Sequence, residues 1–191
     1  MGRWEPNARG RLEQAALELY AEHGYEQTTA AQIAARAGVT ERTFFRHCAD
    51  KREVLFGGAQ QLEQAFVDAL GAAPAAAAPI DAMASALESV AVFFDDRHAF
   101  ARQRHAVIVA SRELRERELT KLASLVAALT ATLRGRGVPE PAAGLTAEAG
   151  IAVFKVGFER WVAEDGARSL ADFLRESLDG LKAVMAATAG E

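Results

Sequence analysis

Cysteine is almost missing from this sequence, in which Cys48 is the single one among 191 residues. One cysteine cannot form an intrachain disulfide, and no second cysteine or histidine pair stands near it at the spacing of a zinc site. We interpret Cys48 as a small buried side chain, with redox sensing as the alternative. The sequence therefore predicts no disulfide, no metal site and no cofactor.

Long apolar runs are also missing. A membrane-spanning helix needs about 18 consecutive apolar residues without charge, and no such stretch occurs. The N-terminal MGRWEPNARGR lacks the apolar core of a signal peptide. We therefore expect a cytoplasmic protein without a membrane segment.

The alternating Val, Ile and Thr runs that are typical of strands are absent, and aromatic residues make up only 7% of the chain. Half of the residues are nevertheless hydrophobic, so a substantial core is expected. The abundance of alanine and the helical spacing of the apolar residues favour an all-α fold.

An excess of positive charge is missing from the chain as a whole, whose formal net charge is −4. This value argues at first against a nucleic-acid partner. Within residues 36–52, however, five basic residues stand against two acidic ones, so a modest local positive patch is expected. We expect binding of nucleic acid by this patch to be sensitive to salt and to depend on dimerisation.

Two short helices joined by a three-residue corner are predicted within Thr28–Lys51. Thr29 and Gln32 have the spacing of a capping box that begins the first helix. Gly38 can adopt the left-handed backbone that ends this helix, and Thr40 is an N-cap for a second helix that ends near residue 47. This arrangement is a helix-turn-helix, whose second helix presents its exposed N-terminal residues to base edges in the major groove.

The remaining chain is predicted to form amphipathic helices. Asn7 caps a first helix that ends near His23, and Asp50 caps a helix from Lys51 to about Leu70. After a low-complexity boundary at 71–79, helices are predicted over about 80–95, 97–110, 112–134, from Thr146 to about residue 166, and from Ser169 onward. About nine helices result, in a helix-turn-helix domain over 1–56 and a helical domain over 57–191.

The last two predicted helices are more apolar than one core requires. Two glycines seven residues apart let another helix approach closely. We expect both helices to pair antiparallel with a second copy in a four-helix interface, with these candidate residues: Gly150, Ile151, Phe154, Gly157, Phe158, Trp161, Leu174, Leu178 and Leu181. The alternative is that these residues form the core of one chain.

The segment 8–56 resembles the tetracycline-repressor (TetR) family of bacterial transcription regulators. The resemblance rests on Ala-Glu-His-Gly ending at Tyr25, Thr28-Thr29, the run from Ile33 to Thr40, Phe44-Phe45-Arg46-His47, and Lys51 with Leu55-Phe56. Beyond residue 60 only the layout of helices is similar. The resemblance implies a homodimer that binds a pseudo-palindromic operator in double-stranded DNA and leaves it when a small molecule binds the C-terminal domain.

The same resemblance implies roles for individual residues. Those expected to contact phosphates are Thr28 or Thr29, His47 and Lys51, and those expected to face bases are Thr40, Glu41, Arg42 and Thr43. Phe45 stands where the family usually has a tyrosine that bonds a phosphate, so that contact is absent or replaced by apolar contact with a sugar or thymine methyl. Cys48 stands where an aromatic usually packs, which leaves a smaller anchor beneath the second helix.

Aromatic side chains of the second domain are candidates for an effector pocket, although aromatics at helical spacing are usually core. These candidates are Phe93, Phe94, Phe100, Phe154, Phe158 and Trp161. The basic stretch from Arg97 to His105, which includes Arg102 and Arg104, is a candidate receptor for an anionic effector such as a carboxylate or an acyl-coenzyme A phosphate. The alternative is a solvated helix face.

The leading hypothesis is therefore a ligand-responsive DNA-binding transcriptional regulator, expected to be a repressor and not an enzyme. One alternative is a small helical enzyme acting on an acyl or phosphorylated substrate, for which no nucleophile and base at suitable spacing and no glycine-rich phosphate loop are found. Another alternative is a helix-turn-helix scaffold that binds only protein.

Overall fold

The computed structural model describes residues 8–187 of the chain, and in this range it is helical with no strand. The nine α-helices of this range are α1 (Ala8–His23), α2 (Ala30–Arg36), α3 (Glu41–His47), α4 (Ala59–Ala72), α5 (Pro79–Ala91), α6 (His98–Ala110), α7 (Arg112–Gly135), α8 (Ala142–Ala163) and α9 (Leu170–Ala187). The all-α prediction is confirmed. The predicted cap Asn7 lies outside the described residues. Within the described part, no helix is both long and apolar enough to cross a bilayer.

Side-chain caps begin the helices of the helix-turn-helix as predicted. The Thr29 hydroxyl accepts from the Gln32 backbone N–H at 3.2 Å, and the Thr29 backbone N–H donates to the Gln32 side chain at 2.8 Å. Gly38 has a φ of 68°, a left-handed backbone that costs a residue without Cβ little. The Thr40 hydroxyl then accepts from the Thr43 N–H at 3.1 Å, so α3 begins at Glu41.

Two helix boundaries differ from the prediction. Instead of one helix from Lys51 to Leu70, a 3₁₀ turn over Glu53–Phe56 precedes α4, because the Asp50 carboxylate caps two backbone N–H groups and two glycines of low helix propensity follow. A Cβ on Gly57 would lie 2.5 Å from the Arg9 Nε, so a larger residue there would displace the end of that side chain. Helix α8 begins at Ala142, a turn before Thr146, because Ala143 N–H already donates to the Pro139 carbonyl at 3.0 Å.

The chain divides into two compact units. The first contains the residues up to 59 together with 103–119, and the second contains 60–102 and the residues from 120 onward. The prediction placed 103–119 in the second domain, whereas the structure gives this segment to the first. Fully buried side chains of the first unit come from both of its segments and include Leu12, Ile33, Phe44, Leu55, Ile108 and Leu114.

The second unit is built around α5, α8 and α9, which pack against one another. Its core includes Phe66, Met83, Leu87, Leu129, Ile151, Phe173 and Leu174. Ser169 and Asp172 form the predicted capping pair at the start of α9, because each backbone N–H donates to the other side chain at 3.3 Å.

Candidate functional site

Helix α3 buries one face and exposes the other. Phe44 is fully buried, whereas Glu41, Arg42, Phe45 and Arg46 are exposed. Residues three and four apart lie on the same side of a helix, so these four side chains form one continuous outward face. We call the outward face of α3, residues 41, 42, 45 and 46, the reading face.

The charged side chains of the reading face have no partner within residues 8–187. Among the described residues 8–187, the structure shows no hydrogen bond or ion pair for the side chains of Glu41, Arg42 or Arg46. The hydroxyls of Thr40 and Thr43 instead lie 3.0 Å apart and serve the helix cap. The reading face therefore offers one carboxylate acceptor, two guanidinium donors and one aromatic ring. Arg46 was absent from the predicted base-facing residues, although its position four residues after Arg42 indicates the same face.

Thr28 and Thr29, the two threonines expected at a phosphate, differ in their exposure to solvent. Thr28 is 1% exposed, and its hydroxyl donates to the Gly24 carbonyl at 2.9 Å. This buried hydroxyl is unavailable to a ligand, so the expectation for Thr28 is corrected. Thr29 is exposed at the N-terminus of α2, where backbone N–H groups and the helix dipole favour an anion.

Lys51 binds the backbone of its own chain. Its ammonium donates to the carbonyls of Tyr25 at 2.9 Å, Thr28 at 3.0 Å and Glu26 at 3.4 Å, and it lies 4.2 Å from the centroid of the Tyr25 ring. An ammonium has three donors, and these bonds account for all of them. A phosphate contact by Lys51, as predicted, requires the loss of at least one of these bonds. His47 is half-buried, and its Nε2 is buried without a hydrogen bond in the described part of the chain.

Ion pairs reduce the predicted positive patch. Arg36 donates to Glu22 at 2.9 Å and to Glu18 at 3.3 Å, and the hydrogen bonds to these carboxylates raise the pKa of Arg36. Arg52 donates to Asp50 at 2.7 Å, and this bond likewise raises the pKa of Arg52. Of the five basic residues counted over 36–52, Arg42, Arg46 and Lys51 have no carboxylate partner among the described residues, and the Lys51 ammonium is instead bonded to backbone carbonyls.

Two buried tyrosines link the helix-turn-helix to the rest of its unit. The Tyr20 hydroxyl donates to the Lys51 carbonyl at 2.6 Å, and the Tyr25 hydroxyl donates to Glu113 of α7 at 3.0 Å. Burial raises the pKa of both tyrosines, and the Glu113 carboxylate raises that of Tyr25 further. Both side chains are therefore neutral donors at any physiological pH.

Arg104 of the basic stretch from Arg97 to His105 already has partners within the first unit. The Arg104 guanidinium donates to the Leu55 carbonyl at 2.9 Å and to Glu118 at 3.3 Å, and it faces the Phe56 ring. Burial lowers the pKa of Arg104, although Glu118 opposes this effect. Arg102 is exposed and belongs to the other unit. Arg104 is therefore neutralised inside the first unit, which favours the alternative to an anion receptor at this residue.

Four of the six aromatic candidates form a cluster in the second unit. Phe94 and Phe158 have ring centroids 5.6 Å apart, and each also meets Trp161, at 6.0 and 5.8 Å. Phe154 stacks on Phe158 at 5.9 Å. We call Phe94, Phe154, Phe158 and Trp161 the aromatic cluster. Of these side chains, Phe94 and Phe158 are only partly buried.

The aromatic cluster has neighbours that the predicted residues did not include. Phe66 of α4 meets Phe154 edge-on, with ring centroids 5.6 Å apart. In the sequence, the helical spacing of Phe66 with other apolar residues already indicated that it points inward. His98 lies edge-on to the Trp161 ring at 4.8 Å, and its Nε2 is 3.0 Å from the Trp161 carbonyl. The candidates Phe93, which is 43% exposed, and Phe100, which lies under Arg97, make no ring contact with the cluster in the described chain. In residues 8–187 no three His, Cys, Asp or Glu side chains group as metal ligands.

The residues predicted for the dimer interface lie in the core of one chain. A Cβ on Gly150 would meet the Met83 sulfur at 2.6 Å, and one on Gly157 would meet Leu174 at 2.8 Å. The two glycines thus allow α5 and α9 of the same chain to pack closely against α8. Seven of the nine candidates are buried, namely Gly150, Ile151, Phe154, Gly157, Trp161, Leu174 and Leu178, and Phe158 and Leu181 pack against the same core. The burial of these seven residues favours the alternative, that they form the core of one chain.

Comparison with known proteins agrees with this geometry. Residues 13–56 match the family model of bacterial regulatory proteins of the tetR family, and residues 77–186, more than half of the chain, match the MftR C-terminal domain. The chain belongs to the TetR family. The TetR-family match at 13–56 contains α2, α3 and the whole reading face.

Individual TetR-family proteins are similar over different parts of the chain. The HTH-type transcriptional regulator TcmR of Streptomyces glaucescens is 44% identical over 82 residues, which are 43% of this chain and 36% of that protein. The chain thus matches about a third of the length of this curated relative.

Two solved structures are similar in fold. Bacillus subtilis FadR in complex with stearoyl-CoA has a TM-score of 0.60 and 19% identity, with 89% of this chain and 95% of that one covered. Thermus thermophilus FadR in complex with lauroyl-CoA has a TM-score of 0.54 and 23% identity, with 90% and 91% covered.

Proposed function

We propose that this chain is a homodimeric transcriptional repressor of the cytoplasm that binds a pseudo-palindromic DNA operator and is released by a small lipophilic effector. The observation that carries the proposal is the reading face. Glu41, Arg42 and Arg46 stand exposed on a capped helix without partners in the described part of the chain. By contrast, Arg36 and Arg52 are in ion pairs, and Lys51 is bonded to carbonyls. Side chains held in this way are suited to pair with the donors and acceptors of base edges.

The roles within the reading face follow from the chemistry of each group. Arg42, in the first turn of α3, reads guanine, whose O6 and N7 accept two guanidinium N–H groups, and Glu41 accepts from cytosine N4. Arg46 lies one turn further and contacts a phosphate, as does the N-terminus of α2 at Thr29. His47 is adjacent and adds a phosphate contact through its more exposed edge.

Two copies are proposed to associate through exposed apolar side chains of α8 and α9. Leu145 and Val156 are 66% and 51% exposed, and Val184 and Met185 near the end of α9 are 67% and 52% exposed. Trp161 donates to the Arg168 carbonyl just before α9, and Gly157, earlier on α8, packs on Leu174, later on α9. The two helices are therefore antiparallel, and the end of α9 lies beside the start of α8. Exposed apolar side chains on two neighbouring helices favour a symmetric four-helix interface.

Val156→Arg tests this surface by placing a charge within it. We expect sedimentation velocity to show a monomer, whereas Val92→Arg, at a 65% exposed site elsewhere in the same unit, leaves the dimer intact. A dimer that survives Val156→Arg and Leu145→Arg together would exclude α8 as the interface.

The effector is proposed to bind at the aromatic cluster. Phe94 and Phe158 are only partly buried and pack against each other, so an apolar molecule can insert beside them by shifting side chains. The two FadR proteins of the same fold are in complex with acyl-CoA molecules, which supports a lipophilic ligand here. Operator and effector then oppose each other because each favours a different distance between the two reading faces.

A footprint on the DNA upstream of the coding region tests the proposed function. We expect two protected half-sites with two-fold symmetry, whose centres lie about 34 Å or a multiple apart. Absence of protection at low salt would contradict DNA binding and favour the protein-binding scaffold.

A thermal-shift screen tests the effector with stearoyl-CoA, lauroyl-CoA and free lipophilic compounds as probes. A ligand of the native state raises the melting temperature. We expect Phe158→Ala to abolish the shift and Phe93→Ala, at the exposed site outside the cluster, to retain it. A shift that depends on Phe93 and not on Phe158 would place the effector elsewhere.

A further inference from the structure

Phe45 is an aromatic side chain in the middle of a charged face. It is 53% exposed, and Glu41, Arg42 and Arg46 are its neighbours on the outward side of α3. Residues 41 and 42 lie one helical turn before it, and at 3.6 residues per turn the ring projects between the directions of these two side chains, within the reading face. An apolar group at the centre of a base-reading surface requires an apolar partner, since polar base edges would lose water against the ring without gaining a bond.

The Phe45 ring is positioned by the core beneath it. Phe44 is fully buried and meets Phe45 edge-on, with the ring centroids 5.2 Å apart and the planes at 84°. This geometry is a favoured one for aromatic pairs. The fold therefore presents the Phe45 ring in a defined place, as a recognition residue requires.

The major groove offers one apolar group, the C5-methyl of thymine, among hydrogen-bond donors and acceptors. On this basis, and resting on the proposed function, we infer that Phe45 is a specificity-determining residue that reads a thymine methyl in each operator half-site. A ring at the edge of the face would instead pack on a sugar, but around the helix axis Phe45 projects between Glu41 and Arg42, the two side chains assigned to bases, and Arg46 lies on the far side of Arg42.

The spacing along α3 locates this thymine. Phe45 follows Arg42 by three residues, which is about 4.5 Å along the helix axis, and successive bases along a DNA strand are about 3.4 Å apart. The thymine therefore lies one or two base pairs from the pair that Arg42 reads. Because arginine reads guanine most often, the half-site contains a G·C pair with a T·A pair beside it or one pair removed.

Uracil tests the inference because it differs from thymine only by the missing methyl. The full chain first selects its half-site from randomised duplexes. Each thymine of the selected operator is then replaced by deoxyuridine in both half-sites, and fluorescence anisotropy gives the affinity for the wild type and for Phe45→Ala. Because Phe45 is exposed, we expect Phe45→Ala to melt like the wild type.

At one thymine in each half-site, we expect uracil to weaken the wild type about fourfold, or roughly 15-fold for both half-sites, as the loss of one buried methyl does. Phe45→Ala is expected to bind the thymine and uracil operators equally. Arg46→Ala is the matched control, since it weakens binding but leaves the ratio between the two operators unchanged.

Three results would overturn the inference. If the wild type binds its operator with the same affinity after each thymine is replaced by uracil, the Phe45 ring contacts a sugar and not a thymine methyl. The proposed function then still holds. The same holds if Phe45→Ala keeps the wild-type ratio between the operators. A selection that recovers no sequence at low salt rejects both this inference and the proposed function.

Discussion

The ammonium of Lys51 lies 2.9 Å from the carbonyl oxygen of Tyr25, twenty-six residues earlier in the chain. The same group binds the carbonyls of Glu26 and Thr28, so one side chain holds together the backbone of the turn that leads into α2. The backbone of Lys51 is held in turn, because its carbonyl accepts from the Tyr20 hydroxyl at 2.6 Å. Lys51 therefore positions the N-terminus of α2, which is proposed to meet a phosphate.

Lys51→Ala is expected to destabilise the free protein. Hydrogen bonds from a charged donor contribute more than neutral ones, and after discounting for the partly exposed position we expect a loss of about 1–2 kcal/mol in the free energy of unfolding. Urea unfolding measures this loss. DNA binding should weaken while the slope of log affinity against log salt stays unchanged, because no phosphate contact is removed.

Arg52→Ala is the control for Lys51, since its ion pair with Asp50 is largely exposed and such pairs contribute little. The opposite pattern for Lys51→Ala, a flatter salt slope with unchanged stability, would show that Lys51 leaves its carbonyls to bind a phosphate.

Arg46→Ala is expected to reduce the salt dependence of DNA binding, and Arg36→Ala is not. A phosphate contact by Arg46 in each half-site contributes about −1.8 to the slope of log affinity against log salt. Arg36 is paired with Glu18 and Glu22 on the surface, so we expect it to neutralise no phosphate. Its removal should therefore leave the salt slope unchanged. Anisotropy titrations at several salt concentrations compare the two variants. Equal slopes for both would contradict the division of the positive patch into paired and available cations.

Local features of the fold were predictable because their partners are close in sequence. The capping pairs Thr29–Gln32 and Ser169–Asp172 join residues three apart, so the pattern itself contains the interaction. Gly38 was predictable for the same reason, since its left-handed backbone ends the helix directly before it.

The partners of Lys51, Arg104 and Gly157 were not predictable, because tertiary packing brings them together over long distances in sequence. A count of basic residues cannot show that Arg36 already faces two carboxylates from α1. Small residues on a helix likewise indicate that another helix comes close, but not whether it belongs to the same chain. Gly157 packs on Leu174 of its own chain, so its spacing from Gly150 predicted a close helix correctly but not which chain that helix belongs to.

Arg104→Ala is expected to destabilise the protein far more than Arg102→Ala, two residues earlier on the same helix. Loss of the Arg104 guanidinium leaves the Leu55 carbonyl and the half-buried Glu118 without their donor, which costs about 2 kcal/mol. Arg102 is exposed, so its removal should change stability by less than about 0.5 kcal/mol. Urea unfolding of both variants decides, and equal losses would contradict the buried role of Arg104.

Gly157→Ala is expected to destabilise the core of a single chain. The added methyl would lie 2.8 Å from the Leu174 side chain and 3.2 Å from its backbone N and Cα, and a backbone cannot move aside cheaply. We expect a loss of about 1–3 kcal/mol, measured by urea unfolding at fixed protein concentration. Gly150→Ala should cost less, because its methyl meets the flexible Met83 side chain. If Gly157→Ala kept the wild-type unfolding midpoint but weakened dimerisation, Gly157 would lie in the interface between two copies and not in the core of one chain.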